Sequence, residues 1–133
     1  MSKKKEECST GPGLGRFAWN ELVTESVPAA KKFYGGLFGW KTKPFGQNAN
    51  GGNYTLFMRG KDMAGGLMKS PKPGCPTMWV PYVIVKDVDA SAKKAAKIGG
   101  EIMLPPTNIP TVGRIAVVND PQGATIGLFK PMM

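Results

Sequence analysis

The chain contains no histidine, and that absence narrows its chemistry more than any residue present. Histidine is the commonest transition-metal ligand and the commonest acid–base side chain near neutral pH. Two cysteines occur, Cys8 in a polar tail and Cys75 in a Pro/Gly loop. Neither has zinc-type spacing, and both read as free thiols of a reducing compartment. Among the charged residues, Glu21 lies inside an alternating apolar stretch, where a general base would need burial to raise its pKa and a partner within reach. Arg114 follows Gly113 at the opening of another such stretch, a place from which a guanidinium fork could hold an anionic group through two bonds. Asp120, in Asn119-Asp120-Pro121-Gln122-Gly123, reads as a turn residue that bonds its own backbone. The GPGLG at 11–15 has no strand before it and no Lys-Ser/Thr after it, so it reads as a linker and not as a phosphate loop.

These residues must be positioned by a modest scaffold. A chain of 133 residues supports one domain with a real core. Gly 18 and Pro 12 imply many turns and short elements. The first residues, MSKKKEEC, lack an apolar signal region, and no apolar run approaches the roughly 20 residues of a membrane helix. A cytoplasmic protein is expected. The net charge of +9 raises nucleic acid as a partner. The lysines are nevertheless scattered, with no stripe interleaved by aromatics, and solvated helix faces account for Lys31, Lys32, Lys93, Lys94 and Lys97.

A repeat at a spacing of about 61 residues organises the rest. Ser26-Val27-Pro28-Ala29 returns as Asp87-Val88-Asp89-Ala90, Ala30-Lys31-Lys32 returns one residue later as Ala92-Lys93-Lys94, and Gly66-Leu67 returns as Gly127-Leu128. Residues 1–15 read as a flexible tail and 16–131 as one domain, with module one at 16–69, a linker at 70–77 and module two at 78–131. In module one the alternation predicts a strand at 17–24, with Phe17, Trp19, Glu21 and Val23 on one face. Ser26 caps a helix to about Leu37 that buries Ala30, Phe33, Tyr34 and Leu37, and Gly39 ends it. Strands follow at 40–44, 54–59 and 63–69, with a turn-rich loop at 46–53. Module two repeats the order: a strand at 79–86, a helix capped by Asp87 or Asp89 through Ile98, and a strand at 101–104. A Pro-rich loop then runs to Thr111, before strands at 113–118 and 125–130. Each half is βαβββ, and two halves must pair to bury the apolar sheet faces.

With FYGGLFGW closing the first helix and NDPQGATIGL closing the second half, the sequence resembles the vicinal oxygen chelate superfamily. That group includes glyoxalase I, extradiol dioxygenases, and fosfomycin and bleomycin resistance proteins. The similarity covers about residues 16–131. It implies an α+β fold in which two βαβββ modules form a curved eight-stranded sheet around a cleft. In the metal-using members the ligands come from the first and fourth strands of each module. By that resemblance the ligand positions here are Trp19, Gly66, Val80 and Gly127, none of which can bind a cation through its side chain. No metal and no cofactor are therefore expected.

The resemblance also implies what lines the cleft. If Trp19 faces it, so do Glu21, Met68, Tyr82 and Phe129, with Arg114 at the rim. Apolar walls with one or two polar anchors suit a small-molecule site, although the same aromatics could simply pack as a core. Glu21 could instead form an ion pair with a lysine or with Arg114. Two function classes follow. One is a metal-independent protein that binds a small aromatic or anionic organic molecule. The other is a metal-free lyase or isomerase with Glu21 as base and Arg114 steadying negative charge. The high positive charge argues against cationic ligands such as bleomycin. A homodimer is expected by resemblance, and the apolar strand 78–85 would suit its interface.

Overall fold

The computed structural model describes residues 13–47, 53–70, 74, 76–110 and 112–132. The tail at 1–12, both cysteines and most of the loop at 46–53 lie outside the described residues, as do parts of the linker. Contacts divide the chain into two compact units, residues 19–80 and residues 13–18 with 81–132. The first unit holds most of the residues read as module one together with the linker and the start of the strand at 78–84, and the second holds most of those read as module two. Among the described residues eight strands and two helices occur in the order βαβββ-βαβββ, the fold class read from the sequence.

In module one, β1 (Phe17–Thr24) leads into α1 (Val27–Phe38), followed by β2 (Lys41–Gln47), β3 (Asn53–Arg59) and β4 (Asp62–Lys69). The strands lie in the order β2-β3-β4-β1, with β1 parallel to β4 and the other pairs antiparallel. The ends of α1 follow from local chemistry. Ser26 Oγ accepts from the Ala29 amide at 3.2 Å, Pro28 sits where a missing N–H costs nothing, and Gly39 closes the helix in the left-handed region at φ 75°. One face of the sheet packs on α1 through Leu22, Ala30, Phe57 and Leu67, and Phe57 and Leu67 are completely buried. Around them Tyr34 meets Phe57 and Trp79 edge-on at 5.8 and 5.4 Å, and the Trp79 indole donates to the Tyr34 hydroxyl at 3.1 Å.

The sequence pattern overstates what α1 buries. Ala30 is buried and Tyr34 half-buried, but Phe33 is 61% and Leu37 58% exposed. The small residues Gly35 and Gly36 narrow the inward stripe, and the sheet beneath is satisfied by Ala30 and Tyr34, so the other two apolar positions point outward.

In module two, β5 (Met78–Ile84) leads into α2 (Val88–Lys97), followed by β6 (Glu101–Ile109), β7 (Gly113–Asn119) and β8 (Thr125–Pro131). The order is β5-β8-β7-β6, with β5 parallel to β8. The cap left open between two aspartates is Asp87, whose Oδ1 accepts from the Ala90 amide at 2.9 Å. Val88, Ala92 and Ala116 form the core under α2, with Val85 and Leu128 against it. Asp120 Oδ1 accepts from the Gln122 and Ala124 amides, both at 2.9 Å, and is the turn residue expected.

Three expectations need correction in this module. β6 continues through Pro105-Pro106 instead of giving way to a loop, with irregular register at 102–107. It pairs only with β7 within the module, and an outer strand tolerates prolines that a central one cannot. Residues 13–15 are not loose tail, because Leu14 bridges Ile84 and the Gly15 amide donates to the Ile84 carbonyl at 2.7 Å. The strand offered as an interface is also engaged, since β5 pairs with β8 and buries Val80 and Tyr82. Among the described residues no helix is long and apolar enough to cross a membrane.

Candidate functional site

Because Leu22 and Leu67 point under α1, strand alternation turns their neighbours to the opposite face of module one. Glu21 is in register with Gly66 on that face, and Val23 with Met68. Trp19 joins them, its indole Nε1 donating to the Tyr54 hydroxyl at 3.0 Å. Glu21 is buried to 9% exposure and Met68 to 8%. The Tyr54 pKa is raised well above its ordinary value near 10. Burial is the largest cause, followed by the negative charge of Glu21, and a hydrogen bond to Glu21 adds to them while the Trp19 bond opposes. Tyr54 is therefore a neutral hydroxyl at physiological pH. Its oxygen accepts a hydrogen bond from the Trp19 indole, and its O–H donates to Glu21.

Tyr54 did not figure among the residues singled out from the sequence. The signal was present in Tyr54-Thr55-Leu56-Phe57, whose alternation places Tyr54 opposite the buried Phe57, and in Gly66, which leaves room for a ring. A Cβ on Gly66 would fall onto the Tyr54 hydroxyl and within 3.0 Å of Cε2. Module two shows the same substitution. A Cβ on Gly127 would land on the Tyr82 ring, 2.7 Å from Cγ. At both fourth-strand positions a tyrosine from a neighbouring strand occupies the space that a side chain there would need.

A divalent cation does not fit these positions. Trp19, Gly66, Val80 and Gly127 offer it no donor, and the two glycines open onto tyrosine rings. Among the described residues no three of His, Cys, Asp and Glu gather as a ligand set.

In module two Tyr82 and Phe129 lie on the face away from α2, for Leu128 between Gly127 and Phe129 packs toward that helix. Arg114 does not join them. It shares the α2 face with Ala116, where its Nε and Nη2 hold the two Asp89 carboxylate oxygens at 2.6 and 3.0 Å. Its Nη1 donates to Asn108 Oδ1 at 2.9 Å. The Arg114 bond holds the Asp89 carboxyl below the usual carboxylate range, and the same bond raises Arg114. The fork proposed for an anionic ligand is occupied by helix α2.

Comparison with known proteins agrees with this architecture. The sequence model of the Glyoxalase/Bleomycin resistance protein/Dioxygenase superfamily matches residues 13–128. "Putative glyoxylase CFP32" of Mycobacterium tuberculosis (strain CDC 1551 / Oshkosh) is 43% identical over 117 residues, covering 88% of this chain and 44% of the relative. "Anthracycline biosynthesis protein DnrV" of Streptomyces peucetius is 29% identical over 130 residues, covering 87% of this chain and 47% of the relative. The chain thus spans less than half the length of the curated relatives it matches. Among solved structures, methylmalonyl-CoA epimerase from Mycobacterium tuberculosis superposes with a TM-score of 0.60 at 16% identity, covering 92% of each chain. The hypothetical protein BH1468 from Bacillus halodurans C-125 gives 0.62 at 11% identity, covering 89% of this chain and 95% of that one. Similarity at that level is one of fold. With a family model matching residues 13–128 and a relative 43% identical over 117 residues, the chain belongs to the Glyoxalase/Bleomycin resistance protein/Dioxygenase superfamily.

Proposed function

We propose that this protein binds a small aromatic organic molecule without a metal ion, on the face of module one that carries Trp19, Glu21, Tyr54 and Met68. The observation that carries the proposal is the hydrogen-bonded line from Trp19 through Tyr54 to the buried Glu21, set beside the buried Leu56 and Met68. Few polar groups, fixed in place among apolar ones, are what orient a ligand in a small-molecule site. Tyr82 and Phe129 are proposed as ligand contacts of module two on the same grounds. The setting remains the cytoplasm expected from the sequence. Native mass spectrometry of the purified protein tests the proposal by looking for a co-purified organic ligand. Trp19→Ala is expected to lose that ligand, and an unchanged complex in the variant would remove Trp19 from the site. Conversion of the ligand that stops in Glu21→Gln while binding persists would establish instead an enzyme with Glu21 as its base.

The homodimer belongs to the same proposal. The exposed Phe33 and Leu37 on α1 give a second copy apolar surface to cover. Relatives of about twice this length carry further chain that could fill the same role. Light scattering at micromolar concentration should give the mass of a dimer, and Phe33→Lys with Leu37→Lys should give a monomer. A monomeric parent protein would end the dimer proposal.

A further inference from the structure

We propose that Lys43 is the specificity-determining residue of this face and holds an anionic group, carboxylate or phosphate, of the aromatic ligand. The inference rests on the binding site proposed above and narrows its ligand class. Lys43 is in register with Leu56, Leu56 with Gly66, and Gly66 with Glu21, so the four form one row across module one. Residues opposite one another in a sheet share a face. Lys43 therefore stands on the side that carries Trp19, Glu21, Tyr54 and Met68. Lys41, in register with Met58, stands two residues along on the same side. Both lysines are exposed, and among the described residues no carboxylate lies within ion-pair distance of either. Glu21 closes the other end of the row, three strand spacings or about 14 Å from Lys43 between Cα atoms. An anion on the outer strand and the carboxyl of Glu21 thus keep to opposite ends of the face.

The matching row of module two shows that the fold does not ask for this lysine. At the repeat spacing, Lys43, Leu56, Gly66 and Glu21 correspond to Leu104, Val117, Gly127 and Tyr82. Those four are again in register from strand to strand. Outer strands are commonly guarded against edge pairing by lysine or proline. Pro44 and Pro105 supply that guard at matching positions of β2 and β6, and module two does so with a leucine beside its proline. The charge at Lys43 thus belongs to the face of Trp19 and Tyr54 and not to edge protection. An aromatic surface adjoins it. The register shifts between Pro44 and Gly46, and the ring of Phe45 lies edge-on to Tyr54 at 6.5 Å while 44% exposed. A ligand ring laid against Phe45 brings an acidic substituent within reach of the Lys43 ammonium, whose flexible stem can lie along the apolar surface between them. Arg114, the cation expected to hold such a group, is bound to Asp89.

Isothermal titration calorimetry with 1-naphthoate, 1-naphthyl phosphate and the neutral 1-naphthamide tests this. At least one of the two anions is expected to bind roughly tenfold more tightly than the amide, the margin of one charge-assisted hydrogen bond. The tighter of the two identifies the group. In Lys43→Leu, which copies the row of module two, the affinity for that anion should fall to that for the amide. Unchanged binding of the amide shows that the face is intact in the variant. Lys43→Arg should keep the preference because the charge stays, and Lys41→Leu should keep it as well. Equal binding of the anions and the amide to the parent, a preference that survives Lys43→Leu, or a preference lost in Lys41→Leu alone would each overturn the inference while leaving the binding site standing. If none of the three binds at millimolar concentration, the binding site itself is refuted and the inference falls with it.

Discussion

At the scale of single residues, Tyr54 links a buried hydroxyl to the behaviour of the molecule in alkali. A folded-state pKa above the unfolded value means that the native protein keeps a proton which the unfolded chain releases near pH 10. Stability is therefore intact below pH 10 and declines as pH rises beyond it, by about 1.4 kcal/mol per pH unit from this group. Tyr54→Phe should remove that part of the slope in urea denaturation curves recorded from pH 9 to 11. At neutral pH the same variant should cost about 1 kcal/mol for the lost hydrogen bonds. A matching alkaline slope in the variant would mean that another group sets it. Gly66→Ala tests the space beside the hydroxyl. With no room for a Cβ, it should cost about 3 kcal/mol in the same assay, and far less in a Tyr54→Ala background. Trp19 and Glu21 were legible from the sequence because strand alternation assigns them to one face, and Met68 joined them only through the family resemblance. Tyr54 and Arg114 were not. What decided them was a diagonal contact across strands in one case and an aspartate two residues beyond a helix cap in the other, and neither follows from local periodicity.

At the scale of elements, the helix ends were the most legible features, since each is fixed by residues within one turn. Ser26→Ala and Asp87→Ala should each lower stability by about 1 kcal/mol, read as a shift in the thermal midpoint, and the two losses should add. Two losses that fail to add would show that the helices are coupled beyond their caps. The run of β6 through Pro105-Pro106 was illegible for the complementary reason. Proline signals a break unless the strand needs hydrogen bonds on one side only, and that depends on sheet order, which no local pattern contains. The outward turn of Phe33 and Leu37 is of the same kind. Spacing says that an apolar face exists, and only the sheet beneath the helix says how wide a stripe it can cover.

At the scale of the whole molecule, the repeat made the architecture legible, because a unit that recurs repeats the order of its elements in both halves. The modules are alike in backbone and unlike in the side chains they carry. Trp19, Trp40 and Trp79, all three tryptophans of the chain, fall within residues 19–80. Intrinsic tryptophan emission is therefore a reporter of the compact unit of residues 19–80, which includes Trp79 at the start of β5, and the indoles of Trp19 and Trp79 report it while hydrogen-bonded to phenolic oxygens. Far-UV ellipticity, by contrast, registers the strands and helices of both. If neither module is stable by itself, emission and ellipticity should trace one denaturation curve. An ellipticity loss that precedes the change in emission would mean that residues 81–132 can open while the unit holding the tryptophans stays folded.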